Sequence, residues 1–234
     1  MSMLKAPKQV SRRHELREDQ LATATARGMT FFEEHRAAII GGAVAVVLLV
    51  AAIMAWGWYR TQQNQAAAEA LGAILATYEQ GDYEQALEGT PEAAGLLEIA
   101  DEYGATETGN LATFFAADAL YQLGRYDEAL ERFEDYDGSG DVLGASALAG
   151  EAAIYEGRGE HDRAGDLYLR AADAVESAAT TPDYLMAAGR NYEAAGDYAA
   201  AQRAYERFLE DWEDTANARV VQALLAQAEA AQAD

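Results

Sequence analysis

The sequence predicts an all-α protein: one N-terminal transmembrane helix, then an α-α superhelix of about four helix pairs with one extra helix. Three observations carry that reading. An uncharged apolar run fills Ala37 to Gly57, a Gly-x-aromatic-x-x-Ala pattern recurs downstream, and the 234 residues hold only three prolines. Alanine-rich stretches between these landmarks favour helix throughout.

The apolar run comes first. A helix of about 20 apolar residues crosses a hydrocarbon layer of about 30 Å. Arg36 and Arg60 bracket the run, and Trp56, Trp58 and Tyr59 sit at one end, where aromatic rings prefer the headgroup layer. A cleaved signal peptide has a short basic leader and an apolar core of about 7–15 residues. Here residues 1–36 precede a longer run, and no small-x-small site follows before the aromatics, so the expectation is a retained span over 37–58. Basic residues cluster upstream, with Arg60 alone just beyond the span. The positive-inside bias then places the 1–36 arm in the cytoplasm and the 59–234 domain outside, across a cytoplasmic (inner) membrane. Thr30-Phe-Phe-Glu33 reads as a capping box that starts the spanning helix, with a separate short amphipathic helix over His14–Ala26. Helical composition from Gln62 to Gln80 suggests that the spanning helix continues into the first repeat.

Charge narrows the function classes. The net charge is −23, yet residues 1–36 hold seven basic and five acidic side chains, so the acid excess lies downstream. Such a surface repels phosphate backbones, which argues against nucleic-acid partners. Lys5 and Lys8 are the only lysines, and an acid-rich, lysine-poor surface suggests a halophile. In molar salt the Debye length falls to about 3 Å and mutes the repulsion. With no cysteine there is no disulfide, thiolate metal site, thiol nucleophile or lipidated N-terminal cysteine.

The repeats decide the fold class. The pattern occurs as Gly81-Asp-Tyr83-Glu-Gln-Ala86, Gly124-Arg-Tyr126-Asp-Glu-Ala129, Gly159-Glu-His161-Asp-Arg-Ala164 and Gly196-Asp-Tyr198-Ala-Ala-Ala201. The glycines lie 43, 35 and 37 residues apart. Glycine ends a helix by tolerating the left-handed conformation. The aromatic two residues later is expected to seal the corner, and the alanine to let the second helix approach closely. These features resemble the tetratricopeptide-repeat (TPR) family, whose unit is about 34 residues. Flanking positions extend the match: Leu185, Ala188, Tyr192 and Tyr205 in the fourth unit, Leu148, Ala152, Tyr155 and Tyr168 in the third, Ala117, Leu120 and Phe133 in the second. The first unit departs, with Thr90 where an aromatic belongs and Pro91 following. Gly95 to Tyr103 is expected to add the extra helix.

An N-terminal arm, one span and a short TPR domain together resemble the YfgM-type ancillary subunits of the Sec translocon. Gly95 to Leu130 is similar to the form such proteins take in the Bacteroidetes lineage. The resemblance implies Sec translocon subunits, a membrane-anchored periplasmic chaperone and translocated clients as protein partners.

No constellation of residues points to an enzyme or a cofactor. His14, His35 and His161 are scattered, no Gly-x-Ser-x-Gly elbow occurs, and no glycine-rich loop opens a helix. Asp135-Tyr-Asp137-Gly-Ser139-Gly140-Asp141 starts like a calcium loop, but position 12, which should carry glutamate, is Ser146. What remains is a surface. In stacked units the first helix of each pair lines the concave face. The repeat frame puts Leu111, Phe114, Asp118 and Tyr121 there, with Ala149, Ala153 and Glu156, then Asp183, Met186, Arg190 and Glu193. Such a face suits a protein segment of apolar and basic character, with Phe114 and Tyr121 equally readable as inter-repeat core. The expected function is a membrane-anchored protein–protein interaction module. The alternatives are a scaffold in another envelope complex and, more remotely, an enzyme.

Overall fold

The computed structural model describes residues 12–138 and 140–233. Lys5 and Lys8, and with them the start of the 1–36 arm, lie outside the described residues. The chain divides into two compact units, Met1–Tyr59 and Arg60–Asp234. Among the described residues there are ten helices and one two-residue antiparallel ladder.

Helix α1 runs from Arg12 to Glu79. It corrects two expectations, since Thr30 and Glu33 lie inside it and start nothing, and His14–Ala26 is no separate helix. The reason is energetic. Gly28 is the only strong helix breaker near that point, and one interior glycine costs only about 1 kcal/mol. The continuation past Gln62 is as expected, and the end of α1 supplies the first helix of the first repeat through the buried Ala67, Leu71 and Ile74.

The second unit is built of helix pairs. The end of α1 pairs with α2 (Tyr83–Glu88), α4 (Glu107–Gln122) with α5 (Tyr126–Asp135), α6 (Val142–Gly157) with α7 (His161–Ala174), and α8 (Thr181–Ala195) with α9 (Tyr198–Trp212). The extra helix is α3 (Leu96–Tyr103), whose Leu96 and Ile99 are fully buried. Before it, β1 (Gly89–Thr90) pairs with β2 (Ala93–Ala94), Gly89 opposite Ala94. That loop is tight enough that a Cβ on Gly95 would lie 2.2 Å from the Leu87 carbonyl oxygen, so the site admits only glycine. A last helix, α10 (Ala218–Ala233), packs Val221 and Ala228 against the fourth pair. It carries no repeat signature, and the sequence reading did not assign it.

Each corner closes in the same way. Gly81, Gly124, Gly159 and Gly196 have φ between +75° and +86°. The residue after each glycine donates its N–H back five residues: Asp82 to Thr77, Arg125 to Leu120, Glu160 to Tyr155 and Asp197 to Tyr192, at 2.9–3.2 Å. These are Schellman bonds, which satisfy carbonyls that a helix end would otherwise orphan. Ala86, Ala129, Ala164 and Ala201 are then fully buried, and a larger side chain would force the paired helices apart.

The aromatic of the pattern behaves less uniformly. Tyr83 packs on the core, and the half-buried His161 meets the buried Asn191 at 3.0 Å. Tyr126 is 49% exposed, which corrects the expectation that its ring plugs a corner, while Tyr198 is half-buried. At the Tyr126 corner the Schellman bond closes the turn without a buried ring. Packed aromatics also lie seven residues later, about two helical turns on: Phe133 over Gly150 and Tyr205 over Gly189, where an added Cβ would come within 2.5 and 2.2 Å of the rings. Tyr205→Ala should therefore cost about 3–5 kcal/mol in chemical denaturation, as truncating a fully buried aromatic does. Tyr198→Ala should cost only about 1–2 kcal/mol by the same measure. Equal losses would give Tyr198 a full corner role.

Candidate functional site

Helical spacing sets the proposed surface. Residues three and four apart share one side of a helix, so α4 presents Leu111, Phe114, Asp118 and Tyr121, α6 Ala149, Ala153 and Glu156, and α8 Asp183, Met186, Arg190 and Glu193. Their environments divide them. Phe114 is drawn into an aromatic cluster with Phe115, Phe133 and Tyr136 at centroid distances of 5.4–6.2 Å. Leu111 and Met186 are half-buried against the two cores. Glu156, Asp183 and Arg190 are exposed, and Asp118, Tyr121 and Glu193 are half-buried. The solvent-facing part is thus mainly charged, with its large apolar members taken up in packing.

A repeated contact organises this surface, and sequence reasoning missed it. Tyrosine hydroxyls hold the carboxylates: Tyr78 Oη donates to Asp118, Tyr168 Oη to Glu156 at 3.1 Å, and Tyr205 Oη to Glu193 at 2.7 Å. Each tyrosine comes from a helix adjacent to the one that carries its acid. Tyr168 and Tyr205 share one register, nine residues past Gly159 and Gly196, and that equality was the available signal. One oxygen of Glu156 and of Glu193 stays free to accept from a partner. Arg190 makes no ion pair, although its charge is felt by both Tyr168 and Tyr205. Asp118, Tyr121, Glu156, Arg190 and Glu193 are linked through these tyrosines and their charges, while Ala149, Ala153 and Asp183 take no part in these hydrogen bonds.

Several other arginines are paired. Arg132 pairs with Asp101 at 2.6 Å, Arg163 with Glu134 at 3.9 Å and Arg207 with Asp173 at 2.5 Å. The last two pairs join the second helix of a repeat to that of the unit before, and Arg132 joins α5 to the extra helix α3. The Asp135–Asp141 connection also has structural work. Asp141 Oδ1 accepts the Gly144 N–H at 2.6 Å and caps α6, while Asn110 hydrogen-bonds both the N–H and the carbonyl of Asp137. Ser139 lies outside the described residues. Among the described residues no group of three His, Cys, Asp or Glu is placed to hold a metal ion.

Burial, then the bond to the carboxylate, pushes the Tyr78, Tyr192 and Tyr205 hydroxyls well above the usual phenol range, with Asp166 as the partner of Tyr192. For Tyr168 burial leads, followed by the Glu156 charge. A raised folded-state pKa means that the folded chain holds its proton more tightly than the unfolded chain. The associated stability is complete below the unfolded value of about 10 and lost as pH rises beyond it. Melting temperature should therefore be flat from pH 8 to about 9.5 and fall steeply above 10. Tyr205→Phe should blunt the fall. A profile unchanged by that substitution would detach Tyr205 from the effect.

A family model for the tetratricopeptide repeat-like domain matches residues 29–230. No curated protein matches the chain. With the paired helices, the four left-handed glycines and this match over most of its length, the chain belongs to the tetratricopeptide repeat-like domain family.

Proposed function

We propose that the chain is a single-pass membrane protein of the cell envelope. Its 59–234 domain captures protein segments of basic and apolar character on the surface formed by α4, α6 and α8. One observation carries the binding reading. Asp118, Glu156 and Glu193 are aligned by tyrosine hydroxyls along that surface, with an unpaired Arg190 among them. Groups held in place before binding lose less freedom on capture. The acid majority favours a partner that carries lysine or arginine. The finer assignment, to the Sec translocon with a periplasmic chaperone and translocated clients, rests on the layout of arm, span and repeats.

Membrane anchoring is supported by α1. It is the one described helix long and apolar enough to cross a bilayer. Its large apolar side chains from Ile40 to Tyr59 are 49–70% exposed, whereas a soluble core helix buries such groups. The proposed span is 37–58, with the 1–36 arm cytoplasmic and the C-terminal domain extracytoplasmic. Single cysteines at Ser2 and Asp234, both outside the described residues, should report this to an impermeant thiol reagent. Labelling at 234 and protection at 2 are expected in intact cells. The reverse pattern inverts the topology.

Arg190→Glu should leave the melt within about 0.5 kcal/mol of wild type, as exposed substitutions do. Partner recovery from gently solubilised membranes should nevertheless change at least severalfold. Recovery of translocon subunits supports the Sec assignment, and their consistent absence moves the protein to another envelope complex. Wild-type recovery by Arg190→Glu and by Glu156→Gln would place binding elsewhere.

The acid excess supports a further reading, adaptation to high salt. Thermal stability should rise from tens of millimolar to molar chloride, and a flat or falling trend would remove it.

A further inference from the structure

Glu151 is out of place on its helix. It lies on the line Leu148–Glu151–Tyr155 of α6, where both neighbours face the repeat core and Tyr155 is only 4% exposed. Its carboxylate is half-buried and makes no hydrogen bond or ion pair. Instead it borders a cavity of about 230 Å³ between α5, α6 and α7, walled by Phe133, Tyr136, Leu148 and Ala174. Half-burying a carboxylate without a protein donor disfavours its charged form.

The charges around it do not resolve this cost. From α5, Glu134 repels it and holds its carboxyl above the usual range, second only to burial itself. From α7, Arg163 and Arg170 act in the opposite sense. Arg163 is committed elsewhere, 3.9 Å from Glu134 and with its guanidinium 3.8 Å from the Tyr155 ring centroid. Arg170 lines the cavity mouth, exposed and beyond ion-pair range of Glu151. The cavity thus offers three carboxylate residues, Glu134, Asp137 and Glu151, against the one cation Arg170, with two aromatic rings beside them; none of the α4–α6–α8 surface residues lines it, although Phe114 packs on both rings.

We propose that this cavity receives one basic side chain, arginine or lysine, of a protein partner. The alkyl stem lies along Leu148 and Ala174, the cation faces the Phe133 and Tyr136 rings, and Glu151 accepts its hydrogen bond. The contact is independent of the α4–α6–α8 surface, so it stands or falls apart from the Arg190 experiment.

The probe is N-acetyl-arginine amide, with N-acetyl-citrulline amide as its neutral counterpart. Each is titrated into the detergent-solubilised full chain at low salt while the amide resonances of Phe133, Glu151 and Arg170 are followed. Saturable shifts are expected with arginine and none with citrulline. Glu151→Gln should weaken arginine binding at least tenfold while melting no lower than wild type, because it removes the desolvated charge. Arg170→Gln, at an exposed site, should bind arginine as well as wild type or better, since a competing cation is gone. Equal titration by citrulline, unsaturable shifts, wild-type binding by Glu151→Gln, or lost binding in Arg170→Gln would each overturn the proposal.

Discussion

The left-handed glycine at each corner is the constraint on which the rest of the repeat domain depends. At Gly81, Gly124, Gly159 and Gly196 the chain takes a positive φ that costs a side-chain-bearing residue about 1 kcal/mol or more, and the next N–H closes back on the helix it has just left. That bond fixes the direction in which the second helix departs. With direction fixed, the fully buried alanines five residues on set how close the second helix comes. Close approach then brings the ring nine residues after the glycine onto a neighbouring helix. Phe133 reaches Gly150 and Tyr205 reaches Gly189, where the missing Cβ leaves space for the ring. Stack geometry, and with it the spacing of surface residues, is inherited from the corner.

Electrostatics is arranged around that stack. In a chain of net charge −23 the few arginines are scarce. Two of them clip successive second helices together, Arg163 to Glu134 and Arg207 to Asp173, and Arg132 clips α5 to the extra helix α3 through Asp101. Exposed pairs of this kind contribute about 0–1 kcal/mol each, so they guide register more than they supply stability. On the first-helix side the carboxylates are held by tyrosines instead. A neutral donor anchors the acid without cancelling its charge, which leaves the surface anionic and available. Glu151 departs from this arrangement as a half-buried anion with no donor, and Arg190, like Arg170, Arg203 and Arg219, is a cation with no ion pair among the described residues. Such groups have interactions that are incomplete within the chain.

The helix-pair fold was readable because its determinants are local. A glycine, an aromatic and an alanine at fixed offsets encode one corner, and repetition at nearly constant spacing encodes the stack. The extra helix α3 announced itself by its apolar spacing between Gly95 and Tyr103. Locality also explains the failures. Thr30 and Glu33 have the composition of a helix start, but capping needs a chain that enters from a non-helical conformation, and here α1 is already helical at Arg12. Tyr126 fits the pattern, yet whether a ring is covered depends on what packs above it. Helix α10 lacks the motif and is helical by composition and by the burial of its own Val221 and Ala228 against the fourth pair.

The sequence by itself determined the all-helical class, the apolar segment over 37–58, the four corners and the acidic character of everything beyond residue 36. Each is a property of composition or of residues within one turn of one another. Only the tertiary structure decided which tyrosine holds which carboxylate, that Phe114 belongs to an aromatic cluster more than to the surface, and that Glu151 lies at a cavity wall. Those outcomes join residues 12 to 40 positions apart, such as Tyr168 with Glu156 and Tyr78 with Asp118. Pairing at such distances is set by the angle and spacing of packed helices, which no single stretch of chain encodes.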